Sequence, residues 1–190
     1  MKSCLKKILD WDVDNSAALR LEPGQGRWWN VAVFLAHSGD SWWWLAALFP
    51  IWLAGIWLSP TWHRASGVLA FSLLLEAVIV LAIKFIIRRK RPDGDWGEIY
   101  RSTDPHSFPS GHAARMVLIA VVSWAVAPLW FSLLLLLWAP LVCVARVMTG
   151  VHYLSDVIAG VVIGLISGGV MVVWLPTLIP LVNSYIPFAF

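Results

Sequence analysis

Charge is scarce in this chain. Only 13% of its 190 residues are Asp, Glu, Lys or Arg, while 59% are apolar and the mean hydropathy is +0.75. That balance excludes an ordinary soluble domain, in which about a quarter of residues are charged. Cysteine is nearly missing: Cys4 and Cys143 stand far apart, which excludes a disulfide framework and a CxxC metal site and leaves the compartment open. The formal charge of +3 comes without a basic stripe or interleaved aromatic platform, so nucleic acid is excluded as a partner. Lys2, Lys6 and Lys7 are followed by Asp10, Asp12 and Asp14 where a signal peptide would need an apolar stretch, and residues 1–40 read as a retained tail plus one short helix. Internal repeats and low-complexity segments are absent.

What is present is mostly membrane. Apolar blocks run from about Trp42 to Leu58, Ala65 to Ile87, Ala113 to Ala127, Trp130 to Val147 and Val157 to Leu178, divided by Pro60, by a Pro- and Gly-rich stretch from Arg88 to Ser110, and by Pro128. A hydrocarbon core of about 30 Å needs roughly 17 to 25 helical residues, so five crossings are predicted, the third one short. Arg27 to Ala36 carries Trp28, Trp29, Phe34 and Leu35 beside Asn30 and His37, and is too short to span; it reads as an interfacial amphipathic helix. Trp42, Trp43, Trp44, Trp57, Trp62, Trp124 and Trp130 mark the span ends as aromatic belts, with Trp52 and Trp138 left for packing. The fold class expected is therefore all-α: an integral membrane bundle over 41–180 within a single domain, 1–190.

Against this background three polar clusters stand out: Lys84 with Arg91-Pro92, Pro109-Ser110-Gly111-His112, and Arg146 with His152 and Asp156. Alternation of the crossings brings all three to one face. Lys84 and Arg91 are seven apart and are expected on one side of a helix end that Pro92 stops. Ser110 precedes an apolar helix, where it can cap, and its neighbours present unpaired N–H groups with the positive dipole end behind them, an anion site. Taken alone, Ser110 would serve equally as a mere cap and His112 as a solvent-facing residue. His152 and Asp156, four apart, can meet through one imidazole nitrogen, leaving the other as a nucleophile, although an ordinary interfacial pair has the same spacing. The companion clusters bring Lys and Arg rather than acidic ligands, so they attract phosphate and repel a metal.

Together, Lys84-x6-Arg91-Pro92, Pro109-Ser110-Gly111-His112 and Arg146-x5-His152-x3-Asp156 resemble the three-part signature of the type 2 phosphatidic acid phosphatase (PAP2) superfamily, which includes bacterial lipid phosphatases and the soluble vanadium haloperoxidases. The similarity extends from about Asp40 through the fifth span. It implies a metal-independent, cofactor-free phosphatase acting on a phosphorylated lipid. Lys84, Arg91 and Arg146 would hold the phosphate oxygens with Ser110 and the Gly111 N–H; His152, oriented by Asp156, would form a phosphohistidine; His112 would protonate the leaving oxygen. Ala145 departs from the family, which usually has serine there. A phosphotransferase using the same intermediate, and a non-catalytic lipid-binding or transport protein, remain as alternatives.

Other residues receive weaker readings. Glu76 is expected to face the bundle interior, and Arg115 to reach a head group or the interface. Asp93, Asp95 and Glu98 form a fragment of a calcium loop without its register, hence a solvated loop. His37 and Asp40 read as capping and boundary residues, and His63 as inert on the opposite face. Of the 14 Lys and Arg residues, all but Arg64 fall on the active-site side of this topology, which points to a cytoplasmic site.

Overall fold

The computed structural model describes residues 2–24, 26–93, 104–186 and 188–190, apart from the side chains of 2–5 and 8. Asp95 and Glu98 lie outside the described residues. Among the described residues seven helices follow one another: α1 (Lys2–Ala18), α2 (Gly26–Ser38), α3 (Ser41–Leu58), α4 (Pro60–Ile87), α5 (Gly111–Val126), α6 (Leu129–Met148) and α7 (Leu154–Tyr185). Helices α3, α4, α6 and α7, with 18, 28, 20 and 32 residues, are long and apolar enough to cross a membrane. The third expected crossing is α5, whose 16 residues reach only about 24 Å at 1.5 Å per residue. It packs against α4, α6 and α7, and Ala113, Met116, Ile119 and Val122 are fully buried. A helix enclosed by protein need not match the bilayer thickness.

Inward and lipid-facing sides follow from helical periodicity. On α4, Leu69, Leu73, Glu76, Val80 and Lys84 are buried, whereas Leu74, Val78, Leu81 and Phe85 are exposed. Glu76 thus faces the bundle interior, within electrostatic range of Ser167 and Arg115. Helices α5 and α7 approach closely because α7 offers Gly160, Gly164 and Gly168 at every fourth position. A methyl on Gly168 would stand 3.0 Å from Val121 Cβ, and one on Gly160 3.0 Å from Ala113 Cβ. That contact seats the start of α5 against the start of α7. At the far end His63 is structural, its ring nitrogens 2.9 Å from the carbonyls of Trp52 and Phe188. Trp52 and Trp138 likewise pack, each anchored through its indole N–H, on the Ala189 carbonyl and the Ser38 hydroxyl.

Two boundaries differ from expectation. The stretch read as a tail is helical as α1, and it docks on α7: Ser16 Oγ accepts from the Leu154 N–H at 2.8 Å and Asp12 Oδ1 from the Ser155 N–H at 2.9 Å. Asp12 and Ser16 lie four apart, on one helix face, and so satisfy two otherwise orphaned amides of the α7 start. Helix α4 also ends at Ile87 rather than at Pro92, closed by Arg88 in the left-handed conformation with φ of 52°. Continued as a helix, Arg89 and Arg91 would point to nearly opposite sides; in the extended segment that replaces it, alternate residues share a face. Arg89 and Arg91 therefore both turn inward and Lys90 outward.

Candidate active site

Backbone hydrogen bonds bring the three clusters together at one end of the bundle. The Ser107 N–H donates to the Arg89 carbonyl at 2.8 Å, and the Ser110 N–H to the Asp156 carbonyl at 2.9 Å. Lys84, Arg91, Ser110, Gly111, His112, Arg146, His152 and Asp156 are all buried.

The cations converge on His152. Arg91 Nη1 donates to the Val151 carbonyl at 2.9 Å and stands 3.3 Å from His152 Nε2. Burial pushes the His152 imidazole well below its ordinary range, and Arg146, Arg91 and Lys84 push it further, in that order. The ring is accordingly neutral at neutral pH. Its other nitrogen, Nδ1, lies 3.6 Å from Asp156 Oδ2, an ion-pair distance looser than a hydrogen bond. The Asp156 carboxylate is held instead by the Tyr153 N–H at 2.9 Å and by Arg89 Nη1 at 2.8 Å.

Ser110 stands at the N-cap of α5, but its hydroxyl does not cap the helix and has no hydrogen-bond partner among the described residues, although it is buried. The expected cap is thus corrected. Forming one would turn the hydroxyl onto the α5 amides and away from an anion at the helix start, where both hydroxyl and amides can serve a phosphate oxygen. Next to it, His112 Nε2 is 2.5 Å from Asp40 Oδ1 and its Nδ1 is 3.4 Å from Arg115 Nη2. Arg115 therefore reaches into the site.

Three acidic partners and one cation escaped the sequence reading. Asp104 accepts from Lys84 Nζ and, at 2.8 Å, from Arg91 Nη2 through the same Oδ2, so a half-exposed carboxylate lies across two cations of the cluster. Arg89 forks between Asp156 and Asp12, with Nη2 2.7 Å from Asp12 Oδ2, and lies over the Tyr153 ring at 4.0 Å. Burial alone would raise the Asp12 carboxyl, but the Ser155 hydroxyl, Arg89 and the Ser155 amide outweigh it and hold Asp12 below its ordinary range. Asp40 bounds α3 as its N-cap, as expected, but its carboxylate contacts His112 instead of capping the helix. The only sequence signal for Arg89 was its position two residues before Arg91. Of the calcium-loop fragment, Asp93 uses its carbonyl to accept from Arg20 at 2.6 Å.

Residues 65–180 match the model of the PAP2 superfamily. The chain belongs to this family. Within it, this PAP2 protein is 31% identical over 138 residues to an undecaprenyl-diphosphatase of Sulfolobus acidocaldarius, covering 70% of this chain and 64% of that one. It is 33% identical over 103 residues to a decaprenylphosphoryl-5-phosphoribose phosphatase of Mycobacterium tuberculosis, covering 54% and 56%. The match spans less than two thirds of either relative. Its fold is like that of the first transmembrane PAP2 type phosphatidylglycerolphosphate phosphatase from Bacillus subtilis, with TM-score 0.70, 24% identity and coverage of 87% and 84%. The crystal structure of Aquifex aeolicus LpxE gives TM-score 0.61, 25% identity and coverage of 84% and 93%. Like the spans, these likenesses describe a multi-pass membrane protein.

Proposed function

We propose that this chain, acting as one domain over 1–190, is a membrane phosphatase that hydrolyses a lipid-linked phosphate monoester or diphosphate through a phosphohistidine. The observation that carries the reading is a neutral, buried imidazole whose Nε2 stands 3.3 Å from an Arg91 N–H, with Lys84 and Arg146 acting on the same ring. Arg91, Lys84 and Arg146 hold the phosphate oxygens with Ser110 and the Gly111 N–H, and their charge is matched to the oxyanions of the transition state. His152 Nε2 attacks phosphorus as the bond to the leaving oxygen breaks. That oxygen leaves with the electron pair and takes a proton from His112. Asp156 faces the Nδ1–H and steadies the charge on the phosphorylated ring. Water then attacks phosphorus, His112 takes its proton, and inorganic phosphate departs with His152 restored.

A lipid substrate is supported by the names of the two relatives, both of which carry polyprenyl-linked substrates, and by an apolar cleft. This cleft, about 830 Å³, lies between α5, α6 and α7 and reaches Cys143, one helical turn from Arg146. The bilayer itself is the second partner.

The decisive experiment is His152→Ala, which removes turnover in phosphate release from phosphatidic acid and polyprenyl phosphates or diphosphates. Acid-labile labelling of the parent, lost in the variant, identifies the intermediate; labelled phosphate appearing on an alcohol rather than in water would make the protein a phosphotransferase. Retained turnover in the variant would overturn the reading. For orientation, the excess of Lys and Arg at this end supports a cytoplasmic active site. Lys90→Cys, in a background lacking Cys4 and Cys143, is then shielded from an impermeant thiol reagent in intact cells while Pro60→Cys reacts. The opposite pattern would put the site outside.

A further inference from the structure

His112 must carry a proton to the leaving oxygen, yet it sits in a nest of like charge. Arg146, Arg115 and Lys84 all act on its ring. A second proton on that imidazole adds positive charge among them, and the carboxylate in direct contact with it is Asp40, from the junction of α2 and α3. Asp40 also has a local alternative that it does not take. It occupies the N-cap of α3, where an aspartate normally accepts from the helix amides, but it makes no side-chain cap bond. Its Oδ1 goes to His112 Nε2 at 2.5 Å and its Oδ2 to His37 Nδ1 at 3.2 Å.

The tautomer follows from the partners. Arginine only donates, so Nδ1, 3.4 Å from Arg115 Nη2, is the acceptor in the neutral ring, and Nε2 carries the hydrogen toward Asp40. With Nε2 committed at 2.5 Å, the nitrogen left to meet a leaving oxygen is Nδ1.

We infer that Asp40 is the positioning residue of the general acid: it holds His112 through Nε2–H and supplies the countercharge for the imidazolium, which delivers its proton from Nδ1. In the first step the Nδ1–H proton moves to the departing oxygen, the phosphorus–oxygen bond breaks, and His112 becomes neutral while Asp40 stays ionised. In the second, water gives Nδ1 a proton as its oxygen bonds to phosphorus, and the phosphorus–nitrogen bond to His152 breaks with its electron pair returning to Nε2. This assignment rests on the phosphatase reading above.

The test is Asp40→Asn, which keeps the shape and the capping capacity of the residue but not its charge. The variant is compared with His112→Ala and with the double variant, on a phosphatidic acid, whose leaving group is an alkoxide, and on p-nitrophenyl phosphate, whose leaving group needs little protonation. We expect kcat on phosphatidic acid to fall roughly 10- to 100-fold, that on p-nitrophenyl phosphate by less than about threefold, and Asp40→Asn to add nothing in the His112→Ala background. The ratio of the two rates within one preparation is independent of the fraction folded. Equal losses on both substrates, additive losses in the double variant, or parental rates in Asp40→Asn would each overturn the role of Asp40. A parent protein that releases phosphate from none of phosphatidic acid, polyprenyl phosphates and polyprenyl diphosphates would instead refute the phosphatase reading, and the role of Asp40 with it.

Discussion

Arg89→Ala tests how the site holds its orienting carboxylate. Arg89 uses its guanidinium fork on two acids: Nη1 to Asp156 Oδ1 at 2.8 Å and to Ser155 Oγ at 2.6 Å, and Nη2 to Asp12 Oδ2 at 2.7 Å. Asp156 is fully buried, so deleting Arg89 leaves an ionised carboxylate with the Tyr153 N–H and without its cation. Breaking a buried pair in this way costs about 3 to 5 kcal/mol. The 19% exposure of the Arg89 side chain, which lets water in, puts the loss at the low end, about 3 kcal/mol. The catalytic consequence is separate. Asp156 loses its charged anchor, and a displacement of about 1 Å in an orienting group lowers turnover about 100-fold, equivalent to about 2.7 kcal/mol of barrier. The guanidinium of Arg89 is taken up by Asp12, Ser155 and Asp156, so KM should stay within about threefold of the parent. Arg89→Lys keeps the charge but not the fork and loses one of the two carboxylates, for a kcat roughly tenfold down. Steady-state phosphate release in detergent, with thermal melting alongside, checks this. Parental kcat in Arg89→Ala, or a loss confined to KM, would refute the reasoning.

Three further outcomes are expected. Because burial and then Arg146, Arg91 and Lys84 lower the His152 pKa, the nucleophile stays neutral as pH falls through 6.5, and the acid limb of kcat/KM must have its midpoint below that value; a midpoint at or above 6.5 contradicts the assignment. Activity should survive strong chelators, and vanadate should inhibit competitively as a trigonal-bipyramidal mimic held by Lys84, Arg91 and Arg146; loss on chelation with recovery on adding a divalent ion would mean metal chemistry. Asp104→Ala removes an internal anion that competes with phosphate for the buried Lys84 and Arg91, and since the Asp104 carboxylate is 37% exposed the gain is about 1 kcal/mol, a KM roughly fivefold lower. A higher KM would show that Asp104 aligns the cations instead.

Much of this molecule was legible along the chain because the governing energies are local. Transfer of an apolar run into lipid sums residue by residue, so α3 and α6 agree with their apolar blocks to within one residue at each end, while α4 begins at Pro60 before its block and α7 runs beyond Leu178 to Tyr185, and alternating crossings alone bring Lys84, His112 and His152 to one face. The residue types were equally direct, since cations with a histidine and a carboxylate suit phosphoryl transfer. Partner choice was not local. Arg89 meets Asp12 across 77 positions, and Asp40 meets His112 across 72. Nothing in the propensity of Asp12 or Asp40 distinguishes a cap or a solvated tail from the acid that meets a remote arginine or histidine. The side-chain partners of Arg89 and Arg91 beyond the end of α4 belong to the same class, because they are carboxylates at Asp12, Asp156 and Asp104, distant along the chain. Membrane class, spans and chemical inventory are thus written along the chain, whereas which charges neutralise one another is set by the folded packing, because Coulomb and hydrogen-bond energies depend on distances between residues remote in sequence.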